Sequence, residues 1–180
     1  MPQPTPMTKK VSLEAIKALR DKTSASLNDV RSALEASGGD EAKALAWLRE
    51  RGAAIAEKRQ GRATGQGRVE SYVHHDGRIG SIVEVNCETD FVARTPEFVQ
   101  FCRDVAMQVA AMGPRFVRAE DAPAGTTLGA EERKAVCLLE QSFVKDQGSS
   151  VGDLLKALIA KTGENVVIKR FVRFGLGDGA

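Results

Sequence analysis

The period of the apolar residues changes once along this chain, and that change limits the possible folds more than any other feature. From residue 8 to about residue 58 the apolar residues recur with the 3.6-residue spacing of helices. From Arg68 onward Val69, Ser71 and Val73 alternate with Glu70 and Tyr72, the two-residue period of a strand. The run at 58–68 between them is rich in Gly and Arg and has no apolar anchors. It predicts a flexible linker, because it cannot offset its ordering entropy by burial. The expected organisation is therefore a helical unit at 8–57, a linker at 58–68 and a mixed unit at 69–175. A proline-rich, disordered tail at 1–7 and a short frayed one at 176–180 flank them.

Within the helical unit, Leu13, Ile16, Ala18, Leu19 and Lys22 mark a first amphipathic helix ending near Thr23 and Ser24. Ser26 or Asn28 can cap a second, with Leu27, Val30, Ala33 and Leu34 on one face and Gly38-Gly39 as its stop. Asp40 caps a third, carrying Ala44, Leu45, Trp47 and Leu48 and ending around Gly52. Packed together, these give a small bundle with a core of Ile16, Leu19, Val30, Leu34, Leu45 and Leu48, and Trp47 also belongs inside. The arrangement resembles the three-helix ubiquitin-associated (UBA) fold, a compact interaction module. Lys17, Arg20 and Arg31 lie on its polar side, either as an ordinary solvated face or as a patch for an acidic partner.

In the mixed unit, Asp76-Gly77 between two β-branched runs signals a hairpin, with Gly80 to Val85 as the return strand. Thr95, Pro96 and Glu97 form a strong helix start, and Phe98, Phe101, Cys102, Val105, Val109 and Met112 follow at helical spacing until Gly113-Pro114. Residues 115–124 read as loop with a short extended piece at Phe116-Val117. Residues 131–141 read as a helix with Val136, Leu138 and Leu139 inward. Ser149 or Ser150 caps another helix at 151–161, stopped by Gly163, and 166–174 is a closing strand. The fold class is α+β, an antiparallel sheet with helices packed on one side.

Between return strand and helix sits Thr89-Asp90-Phe91-Val92, a polar turn holding one large aromatic on two rigid supports. The local residues leave open whether Phe91 is core or protrusion. Cys87 beside Glu88 has no nearby His to activate it and reads as a buried thiol, as do Cys102 and Cys137. Three widely spaced cysteines without a Cys-x-x-Cys pair, and only His74-His75 besides, point to no metal or cofactor. Twenty-six basic residues against 24 acidic ones, a net charge of +2, are too balanced for a nucleic-acid footprint. No apolar run approaches membrane length, and the proline-rich start has neither a secretory nor a transit pattern, so a bacterial cytoplasmic protein is expected.

Glu84-Val85-Asn86-Cys87-Glu88-Thr89-Asp90-Phe91-Val92-Ala93-Arg94 is similar along its whole length to the signature of elongation factor Ts, the nucleotide exchange factor of bacterial and organellar translation. Leu19 to Thr23 followed by Asp29 to Leu34 resembles that family's N-terminal signature. Gln141 to Asp146, Gly163-Glu164-Asn165-Val166 and Arg170-Phe171 also fit. The family's first loop typically carries Thr-Gly-x-Gly and bulky apolar residues. Here it is Thr23-Ser24-Ala25-Ser26-Leu27-Asn28, with Leu27 the remaining apolar contact.

The resemblance implies a non-covalent exchange factor, not an enzyme. Its partner would be elongation factor Tu, GDP-bound or nucleotide-free. Asp90 and Phe91, flanked by Thr89 and Val92, would insert between partner helices, while Lys17, Arg20, Leu27 and Arg31 dock the helical unit. Long members have two core half-repeats and this chain has room for one. It is therefore expected to pair with a second copy through the dimerisation-type core, with 166–174 as the pairing edge. Other classes also fit the residues: an interaction adaptor built on the UBA-like unit, or an RNA-binding protein using the linker with Lys169, Arg170 and Arg173.

Overall fold

The computed structural model describes residues 11–23 and 25–178. The expected N-terminal tail, the start of the first unit at Thr8, Ser24 and residues 179–180 lie outside them. Three helices come first: α1 (Leu13–Thr23), α2 (Leu27–Ala36) and α3 (Glu41–Arg59). Of the two expected caps for α2, Ser26 serves, its Oγ accepting from the Asp29 amide at 3.1 Å. Gly38 and Gly39 end it with positive φ, and the Asp40 carboxylate accepts from the Lys43 amide at 3.0 Å to start α3. Ile16, Leu19, Val30, Ala33, Leu34 and Ala44 form the buried centre, while Leu45, Trp47 and Leu48 are half-buried around it. Leu13 and Ala18, which belong to the amphipathic set of α1 but not to the expected core, face solvent.

α3 does not stop at Gly52 but continues to Arg59. Gly52 is buried against α7 (Val151–Thr162), where an added Cβ would meet the Lys156 carbonyl at 3.8 Å and Ala160 Cβ at 3.9 Å. Glycine in a helix interior costs about 1 kcal/mol relative to alanine. Here the packing of Ile55 and Ala56 on the larger core outweighs that cost. One helix thus starts in the bundle and ends against the mixed unit. The run at 58–68 is correspondingly shared between elements, contrary to the expected tether. Lys58 and Arg59 close α3, residues 60–65 make a turn, and 66–68 already belong to β1 (Gln66–Val73).

β1 pairs antiparallel with β2 (Ile79–Cys87), from Gln66 opposite Cys87 to Val73 opposite Gly80. The Asp76-Gly77 turn joins them, with the His74 amide donating to the Ile79 carbonyl at 2.8 Å. β5 (Val166–Gly175) lies antiparallel on the other side of β2, giving the order β1-β2-β5 and leaving β5 an edge. One face of this sheet is covered by α5 (Pro96–Met112) and α7. Val83, Val85, Cys87, Val166 and Ile168 pack there against Phe98, Phe101, Cys102, Val105, Leu158 and Ile159. The opposite face leaves Val69, Val73, Ile82, Val172 and Phe174 exposed. Met112, read as part of the buried stripe, is half exposed in the last turn of α5.

The helix expected at 131–141 is interrupted. α6 (Ala130–Val136) ends at Cys137, whose extended backbone pairs with Phe116, and a 3-10 turn at Leu138–Glu140 follows. The Leu138 and Leu139 amides donate to the Phe116 and Val117 carbonyls at 2.9 and 3.0 Å, which helical geometry would not allow. Leu138 is buried, Val136 and Leu139 partly so. A two-stranded sheet of β3 (Ser142–Phe143) and β4 (Asp146–Ser150) precedes α7, whose cap is a reciprocal Ser150–Asp153 box. Residues 176–178, expected to fray, form a turn held by the Leu176 amide on the Arg78 carbonyl and by Asp178 on Arg173.

Candidate functional site

The turn after β2 is organised by two threonine caps. Thr89 starts a one-turn helix, α4 (Asp90–Ala93), its Oγ1 accepting from the Val92 amide at 3.4 Å. Thr95 starts α5, accepting from the Phe98 amide at 3.3 Å, and its hydroxyl donates back to the Val92 carbonyl at 2.9 Å. The stretch read as a polar turn is therefore one helical turn, parted from α5 by Arg94 and the extended backbone of Thr95. A single turn has only one outward and one inward side. Val92 and Ala93 pack on the main core, and Phe91 is left 81% exposed. Isolated apolar side chains are common on protein surfaces. What distinguishes Phe91 is a turn capped by a threonine before it and followed by a second threonine cap.

That mount extends across the sheet to a segment 75 residues away. Glu164 accepts from the Thr89 amide at 3.0 Å and from the Thr89 hydroxyl at 2.6 Å. Glu88 returns the contact, accepting from the Asn165 amide at 2.6 Å, with Arg62 at 3.5 Å on its other oxygen. The Asn165 side chain donates to the Arg62 carbonyl at 2.8 Å. The exits of β2, α7 and α3 thus meet at one corner. The Asn165 amide, opposed by desolvation and helped by Arg62, holds the Glu88 carboxyl below the usual range. Its share of the clasp is complete above the ordinary carboxylate pKa and weakens as acid titrates it through its lowered value.

Asp90 forms an i,i+4 pair with Arg94 at 2.9 Å, both groups well exposed. Such a pair contributes about 0.3–0.5 kcal/mol, so Asp90 is largely free to meet another charge. Cys87 is fully buried, donates to the Thr89 carbonyl at 3.1 Å, and has its pKa pushed up to about 11, first by burial. Burial likewise raises Cys102 to about 12 and Cys137 above the ordinary thiol value. These thiols are packing groups. Among the described residues no three His, Cys, Asp or Glu side chains are grouped to hold a metal ion, and no helix is long and apolar enough to cross a membrane.

Lys17, Arg20, Leu27 and Arg31 all reach the surface of the bundle; Leu27 is 57% exposed and Arg31 pairs with Glu35 at 2.8 Å. Leu13 is a further exposed apolar group on the bundle. The structure does not bring this set to Phe91. α1 packs on α2 and α2 on α3, whereas α4 packs on β1, β2 and α5. The two regions connect through α3, which lies along α7. Glu88, Glu164 and Asn165 carried no signal as a clasp in the sequence. No spacing rule ties residue 89 to 164, although Glu164-Asn165 directly follows a helix-stopping glycine.

Comparison with known proteins agrees with the motif. A family model described as Elongation factor TS matches residues 8–133. The chain is 47% identical to elongation factor Ts of Rubrobacter xylanophilus, over 91% of this chain and 98% of that one. It is 44% identical to that of Carboxydothermus hydrogenoformans, over 94% and 90%, and 43% identical to that of Thermotoga petrophila, over 94% and 98%. Signature, fold and full-length similarity agree: this chain belongs to the elongation factor Ts family, the proteins of translation elongation.

Proposed function

We propose that the chain binds elongation factor Tu and promotes GDP release by inserting Asp90 and Phe91 beside the partner's nucleotide site. One observation carries the reading: a phenylalanine 81% exposed on a doubly capped turn, inside the family's signature. Phe91 acts as an apolar wedge between two partner helices, and Asp90 supplies the charge beside it, with Thr89 and Val92 holding the turn. Displacing those helices disturbs the partner's magnesium site and weakens the metal's bridge to the nucleotide phosphates. No bond in the nucleotide is broken. The effect is thermodynamic linkage: a factor that weakens nucleotide binding is weakened by nucleotide to the same degree, so incoming GTP expels it.

The helical unit, UBA-like in helix number and order, docks through Lys17, Arg20, Leu27 and Arg31 and aims the wedge from its seat on α7. The RNA reading draws no support from the basic strand, because Arg170 is paired with Glu84 at 2.6 Å and Arg173 with Asp178 at 2.6 Å. In a stopped-flow assay, fluorescent GDP bound to elongation factor Tu is expected to dissociate faster when the intact chain is added. An unchanged rate defeats the exchange reading. Salt-dependent RNA binding without any effect on GDP would replace it.

Pairing of two chains through the mixed unit belongs to the same reading. Its support is the uncovered sheet face with Val73, Ile82, Val172 and Phe174, next to the free edge of β5. Sedimentation velocity at micromolar concentration is expected to give a dimer, and Phe174→Asp to give a monomer. A wild-type monomer under those conditions defeats the pairing.

A further inference from the structure

We infer that Glu164 is the positioning residue of the wedge: it fixes where Phe91 stands by holding the cap of its turn. The inference rests on the exchange reading and adds to it a residue 73 positions from Phe91 in sequence, on a different element. A four-residue helix cannot hold its own place, because one turn leaves nearly all its end groups without partners inside it. α4 has an inward anchor in Val92 and Ala93, and a C-terminal anchor where Thr95 continues into α5. Its N-terminal end depends on Thr89, and both donors of Thr89, the amide at 3.0 Å and the hydroxyl at 2.6 Å, go to the single carboxylate of Glu164. Both bonds are charge-assisted, roughly twice as strong as neutral ones, and a two-point contact fixes orientation as well as distance.

Glu164 is itself well placed for this. Gly163 ends α7 in the left-handed conformation, and Asn165, buried next to it, is tied by its amide to Glu88 and by its side chain to the Arg62 carbonyl. The acceptor therefore sits on a short segment pinned on both sides before β5 begins. Arg62 lies three residues past the end of α3, the helix that comes from the docking unit. The wedge is thus referenced to the same corner that receives the bundle, through Glu164 on one side and Glu88 on the other. Positioning of this kind affects rate steeply, since a misplacement of about 1 Å can cost on the order of a hundredfold.

The test uses the full chain and the fluorescent GDP release assay, with elongation factor Tu in excess so that affinity and maximal rate separate. Glu164→Ala is expected to lower the maximal acceleration about tenfold. Glu164→Gln is expected to stay within about threefold of wild type, because its carbonyl still accepts the Thr89 amide and its NH2 can donate to the Thr89 oxygen. Glu164→Asp keeps the charge but is one methylene too short for both bonds, and is expected to fall between them. In a Phe91→Ala background, Glu164→Ala is expected to cost less than twofold more, since it acts through that side chain.

Equal fractional losses in both backgrounds overturn the inference and leave Glu164 a stability residue. So does a wild-type rate from folded Glu164→Ala. Should that variant not fold, Glu164→Asp carries the same comparison. If the wild-type chain itself fails to accelerate release, the exchange reading has failed, which is a different result from a silent Glu164.

Discussion

Phe91→Ala is expected to reduce the acceleration of GDP release roughly 30-fold or more while leaving the melting temperature of the chain nearly unchanged. The two halves of this expectation have separate physical sources. A buried aromatic anchor at the centre of a protein interface is commonly worth about 2 kcal/mol or more on truncation, and about 1.4 kcal/mol is a tenfold change. In the free chain, however, Phe91 is 81% exposed and contributes little to its own fold. Surface truncations of this kind change stability by about 0.5 kcal/mol or less. Phe98 provides the contrast, seven residues later and fully buried, where truncation to alanine would cost about 3–5 kcal/mol. Measuring GDP release and thermal unfolding on the same preparation separates a wedge from a core residue. A Phe91→Ala chain that releases GDP as fast as wild type removes the wedge; one that loses several degrees of stability shows the side chain to be packed.

The sequence was most legible where one local rule decided the structure. Thr95-Pro96, Asp40, Ser150 and the Asp76-Gly77 turn each carry their own backbone solution, and each stands where the residues indicate. It was least legible where a distant surface decided. Gly52 carries a local stop signal, yet α3 passes through it because α7 offers a close seat. The run at 131–141 has helical composition, but the strand-like Phe116-Val117 segment draws the backbone out at Cys137. The candidate site divides in the same way. Phe91 and its caps lie within a dozen residues, and only the orientation of the side chain needed coordinates. Glu164 and Glu88 could not be found by spacing, since the clasp exists only once β2 and β5 are neighbours.

The same corner makes Gly67 the position where a single methyl group should do the most damage. Gly67 pairs with Asn86 across the first hairpin at a φ of 152°, outside the range L-residues usually adopt. A Cβ there would stand 2.7 Å from the Asn86 Cα and 3.0 Å from its Oδ1, and it would also collide with the Val85 carbonyl oxygen. These are mostly backbone atoms of the central strand, held by β1 on one side and β5 on the other, so β2 cannot yield and β1 must separate from it. Gly67→Ala is therefore expected to destabilise the chain by about 2–4 kcal/mol, a fall of roughly 5–12 °C in melting temperature. Gly80→Ala, in the same hairpin, is the control. Its Cβ would meet the Tyr72 carbonyl at 3.4 Å and Val73 at 3.6 Å, near-ordinary contacts, so a change within about 1 kcal/mol is expected. The Gly67 lesion should also reach function below the melting range. Asn86 is two residues from Glu88 and three from Thr89, so a strand parted there loosens the clasp that presents Phe91. Gly67→Ala melting together with Gly80→Ala would show that the hairpin has room at residue 67. Wild-type GDP release from a destabilised but folded Gly67→Ala chain would show that the clasp holds without the strand beneath it.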